Sequence, residues 1–305
     1  MKTAFLFPGQ GAQKCGMAET FYKSDADAAA IFKKAGKILG FDIEEIVFKP
    51  DKRLDITSFT QPAMVCAGIA MLEVIKKRGL NAQVCAGLSL GEYEALYYSG
   101  VISMEDALRT VGLRGKLMQD AMPDGTGAMS AVLGLDAAQV QKAIDDIENV
   151  WIANYNCPGQ IVITGLKDAV NKAHEALKTS GARRVLPLNV SGAFHCPLLD
   201  NAAEKLYEFL GDVELSKPEI PYVANYTGEY VYEADGIRKL LRDQVSGSVR
   251  FEQSIRNMIS QGIDTFIEIG PGKTLSGFVK KISTDVSVCN IETVEDLDVI
   301  CNKIC

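Results

Sequence analysis

Residues 87–91 read Gly87-Leu88-Ser89-Leu90-Gly91, between a short apolar run, Ala82–Leu88, and a helix-forming stretch, Gly91-Glu92-Tyr93-Glu94-Ala95-Leu96. This is G-x-S-x-G in the strand–turn–helix setting that a nucleophile elbow requires. The glycines permit a sharp turn that exposes the Ser89 hydroxyl at a strand tip, and the N–H groups opening the next helix favour negative charge there. A serine hydroxyl is a weak nucleophile at neutral pH and needs a general base. The chain has only two histidines. His174 falls in a predicted helix, Lys167–Ser180, beside Val170, Ala173 and Leu177, which reads as a half-buried helix histidine. His195 lies in Val190-Ser191-Gly192-Ala193-Phe194-His195-Cys196-Pro197, an irregular stretch ahead of a helix opening at Pro197. Loops carry catalytic groups disproportionately, so His195 is the expected base. The adjacent Cys196 has no second histidine to serve it and reads as packing.

Arg114 is the third candidate. On a helical wheel for Glu105–Ala121, residues Ala107, Leu108, Val111, Met118 and Ala121 gather on one side, while Arg109 and Lys116 fall opposite. Arg114 falls among the apolar group, where a guanidinium is costly unless it meets an anion. Either an internal carboxylate pairs with it, or it awaits one from a substrate. Two glycine-rich segments carry no such chemistry. Gly270-Pro271-Gly272-Lys273-Thr274 resembles the end of a phosphate-binding loop, but Ile267 stands where the first glycine belongs. Phe7-Pro8-Gly9-Gln10-Gly11 lacks the dinucleotide-binding spacing.

The elements that must position these residues alternate between strand and helix. Lys2–Phe7 and Val84–Leu88 read as buried strands, Ala63–Arg78 as a helix, and Ser103-x-x-Asp106 as the cap of a helix running to about Ala121. After the break at Pro123-Asp124-Gly125-Thr126-Gly127 the order becomes β (Ala128–Leu133), α (Asp136–Ile147), β (Val150–Tyr155), β (Gln160–Thr164), α (Lys167–Ser180), β (Arg183–Leu186). That is the βαββαβ order of a ferredoxin-like unit. Then follow a helix (Pro197–Leu210), a strand near Tyr222–Ala224, a helix around Phe251–Gln261, a strand (Thr265–Ile269), a helix opened by Gly270-Pro271, and a strand (Val286–Asn290). An α/β core formed by 1–124 and 189–305, with an inserted subdomain at 125–188, is the expected organisation. The 305 residues are 47% hydrophobic and 23% charged with a formal net charge of −7, which argues against nonspecific nucleic-acid binding. Eight cysteines occur without framework spacing, the nearest pair being Cys301 and Cys305. With no secretory signal and no membrane-length apolar run in this reading, reduced thiols in a cytoplasmic protein are expected.

Six segments together resemble, in type and order, the motifs of the acyl-CoA:carrier-protein acyltransferases, and among these the bacterial malonyl-CoA:acyl-carrier-protein transacylases of fatty-acid synthesis. They are Phe7-Pro8-Gly9-Gln10-Gly11-Ala12-Gln13, Gly87-Leu88-Ser89-Leu90-Gly91-Glu92-Tyr93, Arg114-Gly115-Lys116, Asn154-Tyr155-Asn156-Cys157-Pro158-Gly159-Gln160, Gly192-Ala193-Phe194-His195 and Glu268-Ile269-Gly270-Pro271-Gly272. The resemblance spans nearly the whole chain. It implies an α/β-hydrolase-like core with a parallel sheet and a ferredoxin-like insertion. It implies Ser89 as nucleophile, His195 as base, and the backbone N–H groups of Gln10 and Leu90 as an oxyanion hole. Arg114 would hold the malonyl carboxylate, and the backbone carbonyl of Gln244 would orient the imidazole. Gln61 and Phe194 would line the pocket, Phe194 matching the malonyl-selective pattern. The family pattern has histidine where this chain has Leu88, a change expected to adjust packing beside the pocket.

The same resemblance implies no metal and no bound cofactor, with a coenzyme A thioester as substrate and acyl carrier protein as partner. Carrier docking on an acidic enzyme calls for a local basic surface, for which Lys116, Arg183, Arg184, Lys273, Lys280 and Lys281 are candidates. A monomer with no nucleic-acid or membrane partner is expected. The alternatives are a free-standing acyltransferase serving a polyketide synthase, a serine esterase or thioesterase, and a catalytically silent carrier-binding scaffold.

Overall fold

A computed structural model describes residues 2–123, 125–190 and 192–304, apart from the side chains of Lys303 and Ile304. Asp124 and Ser191, in two of the loops singled out above, and Cys305 lie outside the described residues. The chain begins β1 (Thr3–Phe7), α1 (Glu19–Ser24), α2 (Ala26–Leu39), α3 (Ile43–Phe48), α4 (Thr57–Lys77), β2 (Val84–Gly87), α5 (Glu92–Tyr98), α6 (Met104–Ala121). It continues β3 (Gly127–Leu133), α7 (Ala137–Ile144), β4 (Val150–Cys157), β5 (Gln160–Leu166), α8 (Lys167–Thr179), β6 (Arg184–Pro187). The last part is α9 (Asp200–Phe209), β7 (Tyr222–Val223), β8 (Tyr230–Val231), α10 (Ile237–Ser246), α11 (Phe251–Ser260), β9 (Thr265–Ile269), α12 (Thr274–Ile282), β10 (Ser287–Ile291) and α13 (Val294–Ile304).

Six strands form one sheet in the order β10-β9-β1-β2-β7-β8, parallel except for the β7–β8 pair. Every residue of β1 and β2 is buried, because helices cover both faces of a parallel sheet and apolar side chains suit both. Phe5 and Phe7 point into one apolar cluster, Ala4 and Leu6 into another across the sheet. The second sheet is four-stranded and antiparallel, in the order β4-β5-β3-β6. Its own apolar cluster joins Val132, Ile152, Ile161 and Ile163 to Val140 and Ile144 of α7 and to Val170, Ala173 and Leu177 of α8.

Several elements differ from their predicted extents. Helix α4 begins at Thr57 rather than Ala63 and runs through Pro62, five residues past its first, where the ring removes one intrahelical N–H donor. By length and composition α4 is apolar enough to cross a membrane, contrary to the sequence expectation. Yet 83% of its most apolar stretch is buried inside the protein, where it packs as a core helix. The helix expected from Gly270-Pro271 starts only at Thr274. Its cap comes from strand β9, where the Glu268 carboxylate accepts hydrogen bonds from the N–H groups of Leu275 at 3.1 Å and Ser276 at 2.8 Å. Helices α1 to α3, α10 and α13 belong to none of the predicted elements, and α10 carries Gln244.

Candidate active site

Ligands of open α/β sheets bind outside the carboxyl ends of the parallel strands, and the sequence-selected residues gather there. Ser89 lies two residues past the end of β2, and Gln10 lies in the loop after β1. The elbow is held in shape by steric necessity. A Cβ on Gly87 would collide with the backbone of Gly91, and one on Gly91 with the carbonyl of Phe7. A side chain at Gly91 would push against the end of β1 and its following loop, and one at Gly87 against the turn that opens α5. Ser89 itself has φ 53°, in the left-handed region that L-residues seldom occupy. Its N–H donates to Asn225 Oδ1 at 2.6 Å, and Asn225 Nδ2 donates to the Gly87 carbonyl at 2.8 Å. Asn225, just past β7, thus clamps both sides of the turn.

His195 also has a positive φ, 60°, and is buried. Its Nε2 lies 2.7 Å from Ser89 Oγ, and its Nδ1 lies 2.7 Å from the Gln244 carbonyl oxygen. A carbonyl only accepts, so Nδ1 carries the ring proton and Nε2 presents a lone pair to the serine hydroxyl. Burial, then the charge of Arg114, push the imidazole pKa down to about 4. Neutral imidazole is therefore the form present at neutral pH, as a base must be.

Arg114 is 1% exposed, at the apolar position its helical wheel gives it. Among the described residues no carboxylate bonds to its guanidinium. Nη1 donates to Gln61 Oε1 at 2.8 Å; Nη2 donates to Gln244 Oε1 at 3.0 Å and to Ser89 Oγ at 3.3 Å. Its Nε has no partner among the described residues, and its Cζ sits 5.6 Å from the centroid of the Tyr93 ring. Neutral oxygens thus hold the cation in place without neutralising it. Of the two readings left open by the helical wheel, the internal ion pair is not formed.

The remaining candidates surround this centre. Gln61 bridges Arg114 and Gln10: its Nε2 is 3.4 Å from Gln10 Oε1, and Gln10 Nε2 donates to Thr57 Oγ1 at 3.0 Å. Leu90 is the second residue of the tight helical turn Ser89–Gly91, where N–H groups have no acceptor within the helix. Phe194 lines the cavity. Leu88 lines it too, one residue before the serine. The cavity, of about 460 Å³, is walled by Ser89, His195 and Arg114 on one side and by Met129, Asn154 and Asn156 of the small sheet on the other. Histidine 174 is half-buried on α8 with its Nε2 2.8 Å from Ser130 Oγ, away from the cavity lining. Cys196 is buried, which raises its thiol pKa to about 11 and keeps it protonated.

Sequence patterns pass over three contributors. Asn225 lies outside every motif. Tyr93 and Glu92 sit within one, but their burial shows only in three dimensions. Among the described residues no group of histidine, cysteine and carboxylate side chains suits a metal ion.

The protein from Bacillus subtilis (strain 168) named malonyl CoA-acyl carrier protein transacylase is 42% identical to this chain over 302 residues, spanning 96% of this chain and 95% of its own. Its namesake from Staphylococcus aureus (strain MRSA252) is 41% identical over 301 residues, 97% of each. Among solved structures, the malonyl CoA-acyl carrier protein transacylase of Clostridium perfringens superposes with a TM-score of 0.96 at 44% identity, over all of this chain and 97% of that one. A malonyl-transacylase in complex with a type II polyketide-synthase acyl-carrier protein gives a TM-score of 0.96 at 37% identity, over 99% and 100% of the two chains. The family described as acyl transferase domain matches residues 4–295, and the chain belongs to it.

Proposed function

We infer that this protein transfers a malonyl group from malonyl-CoA to the phosphopantetheine thiol of an acyl carrier protein through a malonyl-Ser89 intermediate. The observation that carries the reading is the meeting, in one cavity, of Ser89, His195 and an Arg114 to which no carboxylate of the described residues bonds directly. Ser89 Oγ attacks the thioester carbonyl carbon while His195 Nε2 accepts the hydroxyl proton. The backbone N–H groups of Gln10 and Leu90 receive the developing oxyanion, a contribution worth roughly 10²–10³ in rate per donor. Collapse of the tetrahedral intermediate breaks the carbon–sulfur bond, and the departing thiolate takes the proton from His195. The carrier thiol then repeats the sequence in reverse, giving its proton to His195 and taking the acyl group from Ser89, whose oxygen recovers the proton. One thioester replaces another, so no nucleotide is consumed.

Arg114 supplies specificity. A guanidinium pairs with a carboxylate through two parallel hydrogen bonds, and the free Nε and the long contact to Ser89 leave it able to turn toward one. An acetyl group would leave the cation unpaired. Gln244 orients the base through its carbonyl, and Gln61 and Phe194 shape the acyl pocket. Residues 125–188 act as a subdomain that walls the cavity, and one chain supplies every group used. Unbridged thiols at Cys15, Cys66, Cys85, Cys157, Cys196 and Cys289 support a reducing compartment such as the cytoplasm. Intact-mass measurement after mixing with malonyl-CoA tests the reading. A malonyl adduct is expected on the wild-type chain and none on Ser89→Ala; rapid release of free malonate without a carrier thiol would instead indicate a hydrolase.

A further inference from the structure

Glu92 is fully buried directly behind the elbow, and the chemistry described above does not use it. Its Oε2 accepts a hydrogen bond from Gln244 Nε2 at 2.6 Å, and its two oxygens lie 3.3 Å from the N–H of Asn225. Each of these neighbours is itself fixed to the site. The Gln244 amide also donates to the Ser89 carbonyl at 2.8 Å and accepts from Arg114 Nη2, while its main-chain carbonyl orients His195. Asn225 holds the Ser89 N–H. One carboxyl group therefore stands behind both halves of the site, with a single amide side chain between it and the Arg114 guanidinium.

The other ionisable groups facing Glu92 are Tyr93 on its own helix and Tyr222 on β7, both neutral phenols. Arg114 is the cation whose charge acts on it. All described hydrogen bonds to Glu92 come from donors, an arrangement that suits a carboxylate. Burial opposes ionisation, and the balance leaves its pKa raised to about 7.

We propose that Glu92 is a positioning residue and the counter-charge of Arg114, acting through the Gln244 side chain. In the empty site it offsets the buried guanidinium and aligns the amide and asparagine that hold base and nucleophile. When a malonyl carboxylate reaches Arg114, the substrate takes over that role. The proposal rests on the malonyl-transfer reading, and its test separates the two.

The experiment follows malonyl-Ser89 formation by quenched-flow mass measurement over a range of malonyl-CoA concentrations, with acetyl-CoA as the neutral comparison. Glu92→Gln keeps the shape and removes the charge. Its maximal acylation rate should fall about tenfold or more, the scale of losing a hydrogen bond to a charged group. Its half-saturating malonyl-CoA concentration should fall by roughly threefold or more, because an unbalanced buried cation attracts the carboxylate more strongly. Acetyl-CoA saturation should not change. In an Arg114→Ala background the same substitution should leave malonyl-CoA saturation unaltered. Gln244→Met, which cuts the link but keeps the main-chain carbonyl, should show the same split if Glu92→Gln does not fold. Equal malonyl-CoA saturation in the folded variant and the wild type, or a fall that persists without Arg114, overturns the proposal. A wild-type chain that acquires no malonyl group overturns the functional reading itself.

Discussion

At the scale of single residues, the site combines a neutral base with a cation held directly by neutral oxygens alone, and both have measurable signatures. With its pKa depressed to about 4 by burial and by Arg114, His195 stays unprotonated well below the usual histidine range. In Glu92→Gln, where that neighbouring carboxyl no longer titrates, acylation of Ser89 should therefore hold its rate as pH falls through 6.5 and decline only as it approaches the folded-state value of the imidazole. A pH profile of kcat/KM for malonyl-CoA in that variant checks this; an acid limb centred near 6.5 would contradict the buried-imidazole account. Arg114→Ala should lower malonyl transfer and raise relative acceptance of acetyl groups. Sites that must satisfy a polar partner discriminate by about 10⁴, so the malonyl/acetyl ratio should fall by orders of magnitude. These residues can be picked out of the sequence because each breaks a local expectation. A serine between glycines, a histidine in a loop with no rival, and an arginine on an apolar helix face all stand out. Glu92 and Asn225 do not. Nothing in the spacing of a surface-type residue says that its carboxyl or amide ends buried behind a strand tip.

The elements hold these residues through close approach. The elbow works because β1 and β2 are parallel neighbours whose following loops touch, with Leu88 N–H donating to the Phe7 carbonyl at 2.9 Å. Gly91→Ala should cost about 1–3 kcal/mol, as overpacking does, and should slow acylation by spreading the loops that carry Gln10 and Ser89. Denaturant midpoints and adduct formation together check it. Apolar runs and a capping residue make β1, β2 and α6 legible in sequence, and Ser103 does cap α6 by accepting from the Asp106 N–H at 3.0 Å. The boundaries of α4 and α12 are misread because Pro62 sits inside one helix and the other is capped by a glutamate from a neighbouring strand. Helix α10 escapes for a related reason: its polar sequence, Ile237–Ser246, gains order by packing on α9 and by the ion pairs of Arg242 and Lys239 with Asp243.

At the scale of the molecule, two sheets face each other across the cavity. Lys281 on α12 donates to Gln160 at 3.1 Å, and Gln160 lines the cavity, so this lysine marks one rim. Lys273, Lys280, Arg183 and Arg184 are likewise exposed. Lys281→Glu combined with Lys273→Glu should raise the half-saturating concentration of carrier protein several-fold and blunt its salt dependence, while malonyl-Ser89 forms at the wild-type rate. The strap that returns from β6 toward the large sheet contributes Leu188, Asn189 and Val190 to the cavity wall and then delivers His195. A second attachment joins β4 to the segment after α10, with Tyr155 N–H donating to the Val249 carbonyl at 2.9 Å and Val249 N–H to Ala153 at 2.8 Å. The hydroxyl thus rides on one sheet while the imidazole hangs from the tether of the other. Their 2.7 Å separation is a gauge of how the two sheets sit together: whatever wedges into the cleft or tilts its upper wall is felt first as a change in proton hand-off, before the nucleophile itself moves.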